Sequence, residues 1–439
     1  MLAPGPRTAR PPLGRHASRL KALRNLRSWD LGTLRAYQES CLRSVVRHAA
    51  RRVPYFRRLL AEAGLAPDAI RTLPDLALVP ISDRHAMQAL ASTELLAQGF
   101  AAEQLLAYLS SGSTGEPFVT RRTRGEDRLL LAFRMRILQQ LGVRLTDRWA
   151  SLKWLGREAG EIAVERRFVP RRGRSISCLA SVGEQLAELR RTRFEILGGL
   201  PVTIGEITQA MTKADRATMR PRMVITGGET STAELRRHLS ETFSAPAYDL
   251  YGTNEFMATA WQCPSTGLYH VADPTVVLEV VDERGRPVPT GEEGEIVGTS
   301  LHAYAMPFIR YRLDDLAVRG ETPCPCGAPW STLVRILGRV TERFRRLDGT
   351  ALHPYALSDA LMSGAPWLQG FQIVQERLDL VRLRLRPLRS QQPPPDGLAR
   401  AAAEVRGVLG GTVEVTAELV DELPRGGRGK ALHYVCLVK

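Results

Sequence analysis

The first third of the chain combines helical spacing with short apolar runs. Across residues 31–63 the apolar side chains recur every three or four positions, which predicts helices, and Pro54 interrupts the pattern. The apolar run at 105–109 predicts a buried strand, and residues 118–120 resume an extended pattern after a loop rich in Ser, Gly and Thr. A strand, a polar loop and a second strand are therefore expected at the start of the main body.

The middle of the chain alternates between the two patterns. Helical spacing returns in residues 128–141, 184–191 and 207–211, while the apolar runs at 223–225 and 247–250 predict strands. Beyond residue 274, strand-like runs and turns dominate the sequence. This alternation predicts a mixed α/β body.

A smaller unit follows Gly338-Arg339. Its pattern predicts, in order, a helix at 357–362, strands at 371–375 and 378–385, a helix at 398–409 and a last strand at 413–418. That order is typical of a small α+β domain. We therefore predict an arm at 1–30, an N-terminal domain at 31–337 and a C-terminal domain at 338–439.

Basic residues give the 439-residue chain a net charge of +15. Only five of its 61 basic residues are lysines, and the arginines are spread along the whole chain. This favours a compositional bias toward arginine over a nucleic-acid-binding face. Residues 1–30, which mix Pro, Gly and Arg, are the exception and predict a disordered arm. A nucleic-acid-binding protein stays an alternative that rests on charge alone.

Cysteine content and hydropathy restrict the compartment. Six cysteines in a chain of this length do not form a disulfide scaffold, and no apolar run is long enough for a membrane span. The first residues lack the apolar core of a secretory signal. The sequence therefore predicts a cytoplasmic protein without a membrane span. It leaves the oligomeric state open, a homodimer included.

The loop between the first two predicted strands has the composition of a phosphate-binding segment. Its residues are Ser110, Ser111, Gly112, Ser113, Thr114 and Gly115, followed by Glu116 and Pro117. Glycines let backbone N–H groups approach phosphate oxygens, and hydroxyls add donors. A Walker loop is excluded because it needs a lysine at the start of a helix, whereas here a strand follows and lysine is absent. Taken alone, the segment is equally compatible with a Gly/Ser turn that binds nothing.

Further motifs follow this loop in a fixed order. They are Gly227-Gly228-Glu229, Tyr251-Gly252-Thr253-Asn254-Glu255, Tyr311-Arg312-Leu313-Asp314-Asp315, Gly338-Arg339 and Gly429-Lys430. With residues 110–117 they make the chain resemble the adenylate-forming superfamily of acyl-CoA ligases, and in particular its phenylacetate–CoA ligase branch. The resemblance implies an α/β fold with a large, multi-subdomain N-terminal adenylation domain and a small α+β C-terminal lid domain.

The resemblance also assigns roles to these residues. Binding of ATP or AMP is expected from residues 110–115, Gly228, Glu229, Tyr251, Gly252, Asn254, Asp315 and Arg339. Tyr251 is expected at the adenine and Asp315 at the ribose hydroxyls. Glu255 is expected to hold Mg²⁺, which prefers carboxylate and phosphate oxygens. Lys430 is expected to be the catalytic cation at the α-phosphate, where negative charge builds as the acid attacks.

Three positions depart from the family pattern. Asn254 stands where Thr or Ser is usual, Leu313-Asp314 replaces Thr-Gly, and Thr341 stands near the place of a hinge acid. These departures keep open a nucleotide-binding scaffold without turnover.

Four residues with metal-ligand side chains lie near these motifs. Six residues separate Cys263 from His270, and Cys324 and Cys326 follow Asp315. Three thiolates and one imidazole suit a tetrahedral structural Zn²⁺, although the spacing is not that of a standard zinc finger. Members of the phenylacetate–CoA ligase branch often carry this arrangement, which favours a zinc site over ordinary reduced cysteines.

The expected activity is ATP-dependent adenylation of a small carboxylic acid, aryl or arylacetic by resemblance, followed by transfer of the acyl group to coenzyme A. The main alternative is an adenylate-forming enzyme that passes the acyl group to an amine, a hydroxyl or a carrier-protein thiol. ATP, Mg²⁺, coenzyme A and a structural Zn²⁺ are the implied cofactors and co-substrates. No specific nucleic-acid partner is expected.

Overall fold

A computed structural model describes most of the chain. The described residues are 29–109, 118–153, 173–339, 344–352, 357, 360–361, 365, 367–387, 392–424 and 434–438. The loop at 110–117, Lys430, almost all of the predicted arm and part of the predicted helix at 357–362 lie outside them.

Eight of the ten described helices begin where the sequence offers a proline or a capping side chain. In chain order they are α1 (Leu31–Arg52), α2 (Pro54–Glu62), α3 (Arg84–Gln88), α4 (Ser92–Leu95), α5 (Arg124–Gln140), α6 (Val182–Arg191), α7 (Pro201–Ala210), α8 (Lys213–Thr218), α9 (Ala233–Phe243) and α10 (Gly397–Leu409). Helices α4 and α10 begin without either. Pro54 opens α2 because a residue without an N–H fits the first helical position. It therefore ends one helix and starts the next, as the interrupted pattern predicted.

Two helices start earlier than their apolar spacing predicted. Helix α5 begins at Arg124 rather than at 128, because Thr123 and Glu126 form a capping box that satisfies its first N–H groups. Helix α7 begins at Pro201 rather than at 207. Small or polar residues such as Thr203 are buried in its first turns, so no apolar stripe marks them.

The strands form one large sheet and several smaller ones. They are β1 (Leu106–Leu109), β2 (Val119–Arg122), β3 (Trp149–Lys153), β4 (Arg174–Ser177), β5 (Ile196–Gly199), β6 (Met223–Gly227), β7 (Ala247–Thr253), β8 (Met257–Gln262), β9 (Tyr269–Val271), β10 (Val276–Val281), β11 (Glu293–Ser300), β12 (Tyr311–Arg319), β13 (Thr332–Arg339), β14 (Phe344–Arg345), β15 (Ala351–Leu352), β16 (Leu368–Arg377), β17 (Leu380–Pro387), β18 (Glu414–Leu419) and β19 (Tyr434–Cys436). Strands β1 and β2 pair antiparallel and flank the Ser/Gly/Thr loop.

The large sheet has a parallel half and an antiparallel half. Its order is β10-β11-β12-β13-β9-β8-β7-β6-β5-β3-β4. Neighbouring strands from β4 to β7 run parallel, and the pairs from β7 to β10 run antiparallel. Ligands bind such open sheets at the carboxyl ends of the parallel strands.

Helices cover both faces of the parallel strands. Alternate residues of β6 belong to different cores: Met223 and Ile225 pack with α5, and Val224 packs with α6, α7 and α9. This period of two is the one expected for a strand buried on both faces. The predicted mixed α/β fold is confirmed.

A second, smaller sheet with its own core forms the C-terminal part. Its order is β18-β17-β16-β19, and helix α10 packs against it. Arg386 of β17 donates to Glu206 of α7 at 3.1 Å, which links this sheet to the large body. The domain division at 337/338 stays a prediction. Within the described part of the chain, no helix is long and apolar enough to cross a membrane.

A buried arginine joins the N-terminal segment to the antiparallel half. Arg310 forms an ion pair with Glu279 at 3.0 Å, and both side chains are largely buried. Its guanidinium also donates to the carbonyl oxygens of Val79 at 2.8 Å and of Gly285 at 2.6 Å. Burial raises the pKa of Glu279, and the hydrogen bonds from Arg310 oppose that shift. The pair therefore stabilises the fold only as long as both partners are present.

Arg310→Met should lower the free energy of unfolding by about 3–5 kcal/mol, because it leaves the Glu279 carboxylate buried without its cation. The matched control is Arg286→Met, which removes the exposed ion pair with Asp282 and should cost less than about 1 kcal/mol. Urea unfolding followed by circular dichroism measures both. Equal losses in the two variants would contradict the structural role of Arg310.

Candidate active site

The phosphate-loop candidate is carried by the β1–β2 hairpin. Leu109 and Val119 face each other in the register of the two strands. The end of β1 and the start of β2 therefore lie side by side. Residues 110–115 lie outside the described residues, and their role stays a prediction.

Two of the predicted motifs lie at the carboxyl edge of the parallel strands. Strand β6 ends at Gly227, directly before Gly228 and Glu229, and Gly227 faces Leu250 of β7. A Cβ atom at Gly227 would lie 2.7 Å from the Leu250 carbonyl oxygen, so only glycine fits this close approach. Gly228 has a φ of +84°, which turns the chain away from the sheet. Backbone geometry therefore accounts for the two glycines of the Gly-Gly-Glu motif.

Tyr251 and Asp315 come together from distant parts of the chain. The Tyr251 hydroxyl donates to Asp315 Oδ2 at 2.6 Å. Asp315 lies in β12 and faces Arg339 of β13 in the strand register, although nothing is described of the Arg339 side chain. The structure thus places two of the residues assigned to the nucleotide in direct contact, and a third beside them in backbone register.

The residue before Asp315 explains one departure from the family pattern. Asp314 has a φ of +58°, in the left-handed region that favours glycine. The family has glycine at this position, and aspartate is among the few other residues that tolerate the conformation. The unusual sequence therefore keeps the backbone geometry that a glycine would adopt.

Glu255 lies in the turn between β7 and β8. Its Oε1 accepts a hydrogen bond of 3.5 Å from the Tyr311 hydroxyl, and its side chain is partly exposed. The backbone N–H of Phe256 donates to Thr253 Oγ1 at 3.3 Å, which fixes the turn. A carboxylate that is partly open to solvent fits a hard cation such as Mg²⁺.

A buried carboxyl group supports both motifs from within the sheet. Asp249 lies in β7 two residues before Tyr251, and it accepts hydrogen bonds from Thr226 at 2.7 Å and from Tyr269 at 2.9 Å. Thr226 directly precedes Gly227. Burial raises the pKa of Asp249 to about 6, and its hydrogen bonds oppose the shift. No motif in the sequence marked Asp249, because only strand pairing brings Thr226 and Tyr269 to it.

The four predicted metal ligands also converge. The ligand atoms of Cys263, His270, Cys324 and Cys326 all lie within 4.8 Å of one another. Two tight turns supply the thiols: Gly267 N–H donates to the Cys263 carbonyl at 2.9 Å, and Gly327 N–H donates to the Cys324 carbonyl at 3.0 Å. The donor set and the spacing fit a tetrahedral metal site.

His270 is suited to bind a metal as a neutral imidazole. Desolvation lowers its pKa to about 4, so the ring is uncharged at neutral pH. Its Nε2 lies 3.4 Å from the Cys326 sulfur. Its Nδ1 is buried and has no hydrogen-bond partner among the described residues. Nε2, the nitrogen near the Cys326 sulfur, is therefore the atom that would bind an ion.

Comparison with known proteins agrees with this geometry. The family model of the AMP-binding enzymes matches residues 173–302. The phenylacetate-coenzyme A ligase of Thermus thermophilus is 27% identical over 357 residues, which cover 78% of each chain. The enzyme of the same name from Escherichia coli is 25% identical and covers 64% of this chain and 66% of its own.

Solved structures show the same fold. A 2-hydroxyisobutyryl-CoA ligase in the postadenylation state, in complex with 2-HIB-AMP, superposes with a TM-score of 0.76 over 92% of this chain and 89% of its own, at 20% identity. The anthranilate CoA ligase AuaEII with anthranoyl-AMP has a TM-score of 0.58 over 77% and 67% of the two chains, at 18% identity. At these identities the likeness is one of fold.

Fold, motifs and the matched family model are similar to those of the adenylate-forming ligases with an AMP-binding domain. Within that class the chain is related to the phenylacetate-coenzyme A ligases. The resemblance inferred from the motifs is confirmed.

Asp249→Asn should reduce the pH dependence of stability. Because the folded-state pKa of about 6 lies above the ordinary value of 3.8, protonation of Asp249 stabilises the fold. This contribution is full below the unfolded pKa and is lost as the pH rises through about 6. Between about pH 4 and pH 7 the wild type should lose about 2–3 kcal/mol more than the asparagine variant, as measured by urea unfolding at both pH values. Parallel pH profiles would contradict this assignment.

Proposed function

We propose that the protein activates a carboxylic acid with ATP to an acyl-adenylate and then transfers the acyl group to coenzyme A. The observation that carries this proposal is the 2.6 Å hydrogen bond between Tyr251 and Asp315. It joins two nucleotide motifs that are far apart in the sequence. Glu255 stands in the turn that follows Tyr251. The names of the relatives and of the similar structures support both half-reactions.

The first half-reaction is an in-line displacement at phosphorus. A carboxylate oxygen of the acid forms a bond to the α-phosphorus, and the bond to the bridging oxygen breaks, which releases pyrophosphate. In the second step the thiol sulfur attacks the acyl carbon and AMP leaves with the electron pair of the broken C–O bond. Lys430 offsets the negative charge that builds on the α-phosphate. The loop at 110–115 holds the β- and γ-phosphates.

We propose Glu255 as the Mg²⁺ ligand. Its carboxylate is partly exposed and lies at the edge of the sheet where β6 ends at Gly227 and β7 ends at Thr253. When bound, Mg²⁺ neutralises phosphate charge. Tyr311 orients the carboxylate through its hydroxyl, so the residue keeps a defined position when no ion is present.

The acid is proposed to be an aryl or arylacetic acid, and the acceptor is proposed to be coenzyme A rather than an amine, a hydroxyl or a carrier protein. The names of the curated relatives support this choice. The C-terminal sheet with its own core is proposed to act as the lid, with the division at 337/338. A cytoplasmic location is proposed because ATP and coenzyme A are the co-substrates.

Lys430→Ala should lower acid-dependent pyrophosphate release by about 10²–10³-fold, because it removes the cation expected at the α-phosphate. The assay presents a panel of carboxylic acids with Mg·ATP and follows pyrophosphate, then thioester after addition of coenzyme A. Lys213→Ala is the matched control, since Lys213 is an exposed lysine of α8. Turnover that survives in the Lys430 variant would refute its role. Pyrophosphate release without thioester would favour a different acceptor.

We also propose that Cys263, His270, Cys324 and Cys326 bind one structural Zn²⁺. The convergence of their ligand atoms and the neutral state of His270 support this site. The site ties the segment after β8 to the segment between β12 and β13, and both continue into paired strands.

The purified protein should contain about one zinc per chain, and Cys326→Ser should lose most of it, because a neutral hydroxyl is a poor replacement for a thiolate ligand. Cys436→Ser is the control, since Cys436 lies in β19 outside the cluster. Metal analysis of both variants gives the stoichiometry. Removal of zinc by a chelator should lower the midpoint of thermal unfolding. A wild type that contains no zinc would refute the site.

A further inference from the structure

Arg122 occupies a central position that no motif predicted. It is the last residue of β2, and its side chain is 95% buried. Its guanidinium carbon lies 4.3 Å from the centre of the Tyr108 ring, and its Nη1 lies 3.9 Å from Asp127 Oδ1. Its Nη2 donates to the backbone carbonyl of Asn254. One arginine therefore contacts β1, α5 and the turn that carries Glu255.

These contacts offset part of the cost of burying the charge, while Nη1 is buried and has no hydrogen-bond partner among the described residues. The Tyr108 ring offers a cation–π surface, and the Tyr108 hydroxyl in turn donates to Asp127 Oδ1 at 2.6 Å. Burial raises the pKa of Asp127, while the hydrogen bond from Tyr108 and the charge of Arg122 lower it. The planar guanidinium contacts the Tyr108 ring, the Asp127 carboxyl group and the Asn254 carbonyl at the same time. A lysine ammonium is less suited to such a set of contacts.

The position of Arg122 connects two parts of the proposed nucleotide site. Tyr108 and Arg122 lie on one face of the hairpin that carries the loop at 110–115, because Leu106 faces Arg122 and Tyr108 faces Thr120. Asn254 directly precedes Glu255 in the turn after β7. Arg122 in the hairpin and Asn254 in the turn are 132 positions apart in the sequence.

We propose that Arg122 is a positioning residue that holds the β1–β2 hairpin against the turn that carries Glu255, and thereby determines how tightly Mg·ATP binds. This inference rests on the proposed function. The guanidinium holds the hairpin through Tyr108 and the Glu255 turn through the carbonyl of Asn254. The contact uses the backbone of residue 254, so the departure of Asn254 from Thr or Ser leaves it intact. Arg122 itself touches neither ATP nor the metal ion.

The effect should depend on the metal ion. The proposed role of Glu255 acts through Mg²⁺, so a displaced Glu255 turn should affect the binding of Mg·ATP but not of metal-free ATP. Loss of Arg122 should therefore weaken Mg·ATP binding more than ATP binding in the presence of a chelator. A general loss of stability would weaken both equally.

The test uses Arg122→Met, Arg122→Lys and the double variant Arg122→Met/Asp127→Asn. The double variant removes the buried cation together with its counter-charge, and the asparagine still offers an oxygen that accepts the hydrogen bond from the Tyr108 hydroxyl. Arg121→Met is the matched control. Arg121 is the neighbouring residue on the opposite face of β2, and its guanidinium donates to the Ala102 carbonyl at 3.2 Å. Urea unfolding of each variant identifies those that are folded.

Calorimetry measures the dissociation constants of Mg·ATP and of ATP with a chelator. Arg122→Met and the double variant should weaken Mg·ATP binding by about 10-fold or more, and metal-free ATP by no more than about 3-fold. Arg122→Lys should recover part of the loss, and Arg121→Met should resemble the wild type. Thioester formation from presynthesised acyl-adenylate and coenzyme A should be kept in the folded variants, because this step does not use the Mg·ATP geometry.

Equal losses with and without Mg²⁺, or losses as large in Arg121→Met, would overturn the positioning role and leave the proposed function intact. A wild type that binds Mg·ATP but produces no adenylate with any acid would refute the proposed function alone, because the metal-dependent binding difference between the variants would still be measured. A wild type that binds no ATP would overturn both.

Discussion

The buried ion pair of Arg310 and Glu279 is the interaction on which the rest of the site depends. It fixes the N-terminal segment, through the Val79 carbonyl, against the antiparallel half of the large sheet. Arg310 directly precedes β12, the strand that presents Tyr311 to Glu255 and Asp315 to Tyr251. A shift of this strand would move both contacts together. The charge is tolerated because carbonyl oxygens and a carboxylate satisfy the guanidinium, as is required of a buried cation.

Arg122 is a second buried arginine that donates to a backbone carbonyl of a distant segment. Each arginine uses backbone carbonyls from a distant segment as acceptors, so the contact constrains the path of the chain rather than the identity of a side chain. A composition rich in arginine therefore has consequences beyond net charge. Two of these arginines lie inside the body and connect elements, whereas Arg286 and Arg47 pair at the surface, where ion pairs contribute little.

The cluster of Cys263, His270, Cys324 and Cys326 and the nucleotide motifs share the antiparallel strands. His270 of β9 faces Thr332 of β13, and the neighbouring Tyr269 donates to the buried Asp249. Asp249 in turn holds Thr226 beside Gly227. Two hydrogen bonds to Asp249 thus join Tyr269, the neighbour of His270, to Thr226, the neighbour of Gly227.

The sequence by itself determined the class of enzyme, the mixed α/β fold and the positions of seven of the nineteen described strands, because motifs and apolar periodicity are local properties of the chain. It also indicated Tyr251, Glu255, Asp315 and the four candidate metal-binding residues, although not which of them meet. Helices α5 and α7 began earlier than predicted, since capping and buried polar residues leave no apolar stripe. Only the tertiary structure showed the contacts of Arg122, Asp249 and Arg310. Their partners are carbonyls and side chains brought close by strand pairing, and the distance along the chain between such groups carries no local signal.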